Sequence, residues 1–155
     1  MRVLVAAVGK PRDAALAAAI REYEQRAARY WPLDVREVRE GSGRRGAELV
    51  REEEARHLLA AVPAAARVVL CDERGDALTS RQFAALLQTE RERAAEELVF
   101  VIGGAFGVGE EVRARAWRQL ALAPWTLPHE MARLVLAEQL YRAGTIVRGE
   151  HYHKE

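Results

Sequence analysis

Apolar residues along this chain fall into two alternating patterns. Short runs apolar at nearly every position occur at Val3 to Val8, Arg67 to Cys71 (RVVLC) and Leu98 to Ile102 (LVFVI). Runs of that length, rich in β-branched residues, predict strands covered on both faces. Leu33 to Val38 (LDVREV) alternates like a strand, and Leu120 to Leu122 predicts a further short one. Between these runs the apolar positions recur at helical spacing. Helices are predicted from about Ala14 to Tyr30, ended by Pro32, and from Ala47 to Ala61, with Pro63 beyond. Others run from Ser80 to about Arg93, started by Thr79 or Ser80, and from about Gly109 to Trp117. A last helix runs from Pro128, where a first turn tolerates proline, to about Ile146.

Strands separated by helices predict an α/β fold with a mostly parallel sheet flanked by helices. The 155 residues show no repeat and no linker, so residues 1–155 are expected to form one domain. In such sheets ligands bind beyond the carboxyl ends of the strands. That rule points to the segments after Cys71, after Ile102 and after Leu122.

Composition narrows the function classes. Half the residues are hydrophobic, 30% are charged and the net charge is +1, so no general basic coat for nucleic acid exists. Any RNA contact must use a local patch. Lys10 and Lys154 are the only lysines; the remaining cations are arginines, a bias that fits a GC-rich genome and also fits bidentate phosphate recognition. Cys71 is the single cysteine, which excludes an intrachain disulfide and a cysteine zinc cluster and fits a reducing cytoplasm. The apolar start, Met1 to Gly9, is too short for a signal peptide, and no stretch approaches the roughly 20 apolar residues that span a bilayer.

Four segments carry candidate chemistry. The first, VFVIGGAFGVG, follows a strand and opens a helix, where glycines let a backbone approach a ligand. It lacks the Lys-Ser/Thr pair of a P-loop and the spacing of a dinucleotide fingerprint. Alone it is equally a tight turn. The second, Ala121 to His129 (ALAPWTLPH), has two prolines bracketing Trp-Thr-Leu. Such a stretch completes neither a ladder nor a helix, so its backbone groups need other partners. An adenine ring could supply them, and so could an ordinary packed connector.

The third is the final helix, HEMARLVLAEQLYRAGTIVRG, apolar almost all round, as expected of a helix buried on several sides or against a second subunit. Glu138 and Arg142, four apart, share a face with Met131, Leu134 and Val135. The pair reads first as a structural salt bridge and second as catalytic machinery. Arg133 lies on another face, placed for phosphate or a cofactor carboxylate. The fourth is the tail, Arg148 to Glu155, with His151, Tyr152 and His153. Histidine titrates near neutral pH and tyrosine stacks on bases. With no Cys or Asp beside the two histidines, no metal is expected.

Taken together, Ile102-Gly103-Gly104, Leu127-Pro128-His129, Arg133 with Glu138 and Tyr141-Arg142-Ala143, and the Tyr152-His153 end resemble the bacterial family that methylates N3 of a pseudouridine in 23S ribosomal RNA. That family belongs to the SPOUT methyltransferases. The similarity spans the whole chain, including Val8-Gly9-Lys10 and Glu22-Tyr23. It implies a SPOUT α/β fold with a C-terminal trefoil knot, a homodimer, and S-adenosylmethionine as cofactor. By position it implies cofactor contacts at Cys71, Gly103, Gly104, Ala123, Pro124, Trp125, Thr126, Leu127 and Pro128. Relatives usually carry Leu where Cys71 precedes Asp72, and Phe106 and Trp125 make their loops bulkier than usual.

The base nitrogen must lose a proton before it accepts a methyl group, which calls for a general base or a well-placed carbonyl. His153, His129 and Glu138 are the candidates. His153 ranks first, reaching the other subunit's cofactor, with Tyr152 packing beside it. Arg142 and Arg133 would hold RNA phosphate or the forming anion. Arg44 and Arg45, in the loop Gly41 to Gly46, either touch phosphate or are simply solvated. Two alternatives stay open: an inactive ribosome- or RNA-binding module with the same fold, and a SPOUT enzyme acting on transfer RNA.

Overall fold

A computed structural model describes residues 1–154. Its elements run β1 (Arg2–Val8), α1 (Ala14–Ala27), β2 (Leu33–Val38), a 3-10 turn (Gly43–Arg45), α2 (Ala47–Ala61), β3 (Arg67–Ala77), α3 (Ser80–Glu92), β4 (Glu97–Ile102), α4 (Glu110–Arg115), β5 (Arg118–Ala121) and α5 (His129–Arg148). The strands form one sheet in the order β2-β1-β4-β3-β5, and every pairing is parallel.

The apolar runs decide which strands are central. In β4, every residue from Leu98 to Ile102 is buried, and β1 and β3 flank it. Successive side chains point to opposite faces, so each run feeds two cores. Val3, Val5, Val69, Leu98, Phe100 and Ile102 pack on one face with Trp31, Phe83, Leu87, Leu136 and Leu140, that is, under α1, α3 and α5. Leu4, Ala6, Val68, Leu70, Val99 and Val101 pack on the other with Ala55, Leu58 and Val112 of α2 and α4. Helices therefore cover both faces, as continuous apolar strands require. Alternating LDVREV becomes the edge strand β2.

Local signals account for two of the helix starts. Asp13 caps α1 by accepting from the Leu16 N–H, and Thr79 and Gln82 form a reciprocal capping box at α3. α1 stops at Ala27, short of the expected Tyr30, because the chain turns to bury Trp31, whose indole N–H donates to the Leu140 carbonyl at 2.9 Å. β3 outruns its apolar stretch. It continues past Cys71 through an irregularity between Cys71 and Asp76 and pairs again with β5. The Gly41 to Gly46 stretch is not wholly irregular, since Gly43–Arg45 form the 3-10 turn.

This order puts the carboxyl ends of β4, β3 and β5 side by side. The three segments singled out by strand position thus converge at one end of the sheet.

Candidate active site

The convergence creates a cavity of about 560 Å³, within the range of small-molecule sites. Three strand-end loops build its walls. Cys71, Asp72 and Glu73 come from β3, Ile102 to Ala105 with Gly107 and Val108 from the turn after β4, and Leu122 onward from the stretch after β5. Each residue expected to contact a cofactor lines it except Pro124, and His129 at the start of α5 lines it as well.

Glycine and alanine make up much of the wall, beside the Asp72 and Glu73 carboxylates, Trp125 and His129. Gly107 adopts φ +83°, and its N–H closes the turn on the Gly104 carbonyl at 3.1 Å. A Cβ on Gly103 would lie 2.6 Å from Val108 Cγ1, and one on Gly104 would lie 2.7 Å from Glu54 Oε1. At Gly103 the neighbours are a short branched side chain and the Gly107 backbone, which demand glycine, whereas at Gly104 the tip of the Glu54 side chain and Val8 Cγ1 would have to give way. In the loop after β5, the N–H groups of Trp125, Thr126 and Leu127 have no hydrogen-bond acceptor among the described residues. The Thr126 hydroxyl donates to the Glu73 carboxylate and ties two walls together. Trp125 is 77% exposed and Phe106 48%, so neither large ring is committed to the core.

Sequence reasoning missed Asp72, Glu73 and Arg113 as site residues, although the strand-end rule pointed to their vicinity. Asp72 accepts from Arg113 Nη2 at 2.6 Å and from the Arg74 N–H at 2.9 Å. Burial pushes its carboxyl up, but the Arg74 N–H and the Arg113 guanidinium outweigh that and hold it below its ordinary range. Desolvation pushes the Cys71 thiol up to about 12, with the Asp72 charge adding to the shift. The wall at Cys71 is therefore a neutral thiol, and nothing about it suggests a nucleophile.

The other expected residues gather elsewhere. Glu138 Oε1 accepts from Arg142 Nη2 at 2.5 Å, from Arg142 Nε at 3.0 Å and from the Tyr152 hydroxyl at 3.1 Å. Its Oε2 accepts from Gln139 at 2.8 Å. The Tyr152 ring lies 4.5 Å from Tyr141, centroid to centroid, with the Arg142 guanidinium 4.9 Å from its own centroid. Desolvation, bonding with Tyr23 and the Glu138 charge all raise the Tyr152 hydroxyl, which stays protonated. His153 follows, and its buried Nδ1 has no partner among the described residues. None of these residues lines the cavity. His129 and Glu138 are nine positions apart on one helix, or about 14 Å at 1.5 Å per residue.

Arg133 needs a correction. It is 8% exposed, and it donates to Glu24 of α1 at 2.8 Å and Glu37 of β2 at 2.6 Å. That double pairing locks α5 to α1 and β2 and removes the side chain from any phosphate role in this arrangement. Arg44 and Arg45 are exposed on the 3-10 turn, and their side chains have no partner among the described residues. Among the described residues no group of three His, Cys, Asp or Glu could hold a metal ion, and no helix is long and apolar enough to cross a membrane.

A parallel α/β sheet with a glycine-turned cavity at the ends of β3, β4 and β5 defines a ligand-binding class of fold. Residues 1–153 match the family model described as "Predicted SPOUT methyltransferase". The chain belongs to the SPOUT methyltransferase family. It is 61% identical over 155 residues to Ribosomal RNA large subunit methyltransferase H of Gemmatimonas aurantiaca, an alignment covering 99% of this chain and 100% of that one. It is 47% identical over 153 residues to the protein of the same name from Geobacter metallireducens, covering 99% of each. The counterpart from Anaeromyxobacter sp. is 46% identical over 154 residues, covering 99% of this chain and all of its own.

Proposed function

We propose that this protein is a cytoplasmic, single-domain enzyme that transfers a methyl group from S-adenosylmethionine to N3 of a pseudouridine in 23S ribosomal RNA, on assembled ribosomes. The observation that carries the reading is the cavity, whose walls come from the same three strand ends and glycine turn that the family resemblance picks out. The residues present suit the cofactor. A nucleoside needs close backbone approach and hydrogen-bonding groups, and Gly103 and Gly104 offer the first while the open N–H groups of Trp125 to Leu127 offer the second. Cys71, Leu122 and Ala123 add small, uncharged wall. The knot belongs to the same reading.

S-adenosylmethionine supplies a methyl group activated on a sulfonium. What remains for the chain is to orient the base, exclude water and take the N3 proton. Among the proposed proton acceptors, Glu138 has both oxygens engaged, whereas the buried Nδ1 of His153 has no partner among the described residues. We assign the proton to His153, with Glu138, Arg142 and Tyr152 fixing the tail that carries it. His129, on the cavity wall, orients the base. Since the tail and the cavity of one chain lie apart, the tail acts on the cavity of a second copy. The half-buried stripe Met131, Leu134 and Val135 of α5 is the surface proposed to meet that copy.

Radiolabelled methyl transfer to intact ribosomes, separated subunits and bulk transfer RNA tests the reading, with nucleoside analysis naming the atom. Label confined to transfer RNA overturns it in favour of a transfer-RNA enzyme. Absence of label together with no calorimetric binding of S-adenosylmethionine overturns it in favour of an inactive binding module.

A further inference from the structure

Most cationic side chains of the sheet and its helices are tied to carboxylates, as in Arg113–Asp72, Arg118–Asp76 and Arg133–Glu24. The side chains of Lys10, Arg39, Arg44 and Arg45 have no hydrogen-bond, ion-pair or ring partner among the described residues, and all four are exposed on loops at the carboxyl ends of β1 and β2. Arg21, Arg29, Arg56 and Lys154 also lack such a partner, but they are scattered over α1, the turn after it, α2 and the tail. Half of these unpaired side chains thus gather in one place, on a chain that is near neutral as a whole.

A concavity of about 380 Å³ opens between the two loops, lined by Gly9 to Arg12 and Glu37 to Glu40. Its two acids are already engaged: Glu37 holds Arg133 at 2.6 Å, and Glu40 holds Arg12 at 2.8 Å. Lys10 and Arg39 therefore give it a net positive field, and the 3-10 turn adds Arg44 and Arg45. Glu130 and Glu53 border the area, where each accepts a backbone N–H, from Arg12 at 2.5 Å and Ser42 at 3.3 Å.

The groove is also joined to the cavity. The Arg12 N–H bond to Glu130 holds residues 9–12 against the start of α5. A small cleft there is lined by both Gly9 and His129, and His129 also lines the cofactor cavity. A polyanion lying across the groove would pass the cavity mouth at His129.

We infer that Lys10, Arg39, Arg44 and Arg45 form the RNA-binding rim of this enzyme, gripping phosphodiesters of the strand that delivers the base to the cavity. The inference rests on the methyltransferase reading above. It locates substrate affinity on the β1–β2 side of the sheet, separate from both the cofactor walls and the tail. Interactions with phosphate carry affinity and salt dependence and leave the reacting atoms untouched.

The test compares a quadruple variant, K10A/R39A/R44A/R45A, and the double variant R44A/R45A with the control R2A/R29A. The control removes as many charges as the double variant, from exposed arginines at the opposite ends of the strands. With ribosomes as substrate, the quadruple variant should raise KM about tenfold or more with kcat nearly unchanged. The slope of log KM against log salt should flatten by about 0.7–0.9 for each phosphate no longer neutralised. Calorimetric affinity for S-adenosylmethionine should stay at the wild-type value, and the control should match wild type throughout. A quadruple variant whose KM and salt slope equal the control's overturns the rim. Wild-type protein that binds the cofactor but leaves ribosomes unmethylated overturns the functional reading instead. The rim is then judged by filter retention of poly(U) across salt, where equal slopes for wild type and quadruple variant reject it.

Discussion

The cavity beneath the Gly103–Gly104 turn and the cluster around Glu138 sit at different stations along α5, and they treat their polar groups in opposite ways. The cavity leaves N–H groups open in the loop after β5 and keeps two large rings exposed. The cluster closes on itself: Glu138, Gln139, Arg142 and Tyr152 satisfy one another, and among the described residues of the cluster His153 alone keeps a buried atom without a partner. A region built to receive a ligand leaves its backbone unfinished. A region built to hold one side chain in place completes its bonds and presents a single free group.

The largest expected effect comes from filling the turn. In Gly104→Ala the new Cβ meets Glu54 Oε1 at 2.7 Å and Val8 Cγ1 at 3.1 Å. Overpacking of that kind costs about 1–3 kcal/mol and displaces the wall. Calorimetry should detect no S-adenosylmethionine binding, while circular dichroism still reports a folded chain. Wild-type affinity would break the link between turn and ligand.

The matching change on the other region is Gly144→Ala. Its Cβ would fall 2.2 Å from Tyr30 Cγ, wedging α5 from α1. Stability should fall by about 1–3 kcal/mol in urea unfolding, with a smaller drop in cofactor affinity than Gly104→Ala gives. Equal drops in both variants would mean that the two regions are not separable.

Glu138→Gln tests the cluster more gently. The amide keeps the shape but loses the charge that Arg142 and Tyr152 share. Methyl transfer to ribosomes should drop at least about tenfold, because the tail that carries the proton acceptor His153 is no longer held in place, with cofactor affinity within about twofold of wild type. Unchanged transfer would reduce the cluster to a structural salt bridge.

Acid sharpens the contrast in the cavity wall. The Asp72 carboxyl is held below its ordinary 3.8, so its stabilising contribution is complete above that value and is lost as pH falls through the lower folded value. Melting temperature should decline between about pH 5 and pH 2, less steeply in Asp72→Asn; parallel curves would sink the assignment. The smallest effect on stability belongs to Trp125→Ala. At 77% exposure, removing the ring should change stability by less than about 0.5 kcal/mol, yet lower cofactor affinity several-fold.

Much of this was legible in one dimension, for reasons tied to particular residues. Leu98 to Ile102 could only be a strand covered on both faces, and it is the middle of the sheet. Strand ends pointed to the segments after Cys71, Ile102 and Leu122, the family resemblance put cofactor contacts at Cys71, Gly103, Gly104 and Ala123 to Pro128, and all of these line the cavity except Pro124. Pro124 was included by contiguity and lies off the wall. Arg133 misled because a cation on a helix looks the same in sequence whether it awaits phosphate or already holds two carboxylates. Its partners, Glu24 and Glu37, are 109 and 96 positions away.

Local chemistry and hydrophobic period determined the elements, the parallel class and the strand ends, because propensity and alternation act over a few neighbouring residues. Only the tertiary structure decided strand order and the partners of buried charges. The adjacency of β3, β4 and β5 turned three separate loops into one cavity, and ion pairing closed Arg133 and Arg142 while the side chains of Lys10, Arg39, Arg44 and Arg45 have no partner among the described residues. Those outcomes depend on packing between residues far apart in the chain, which no local pattern encodes.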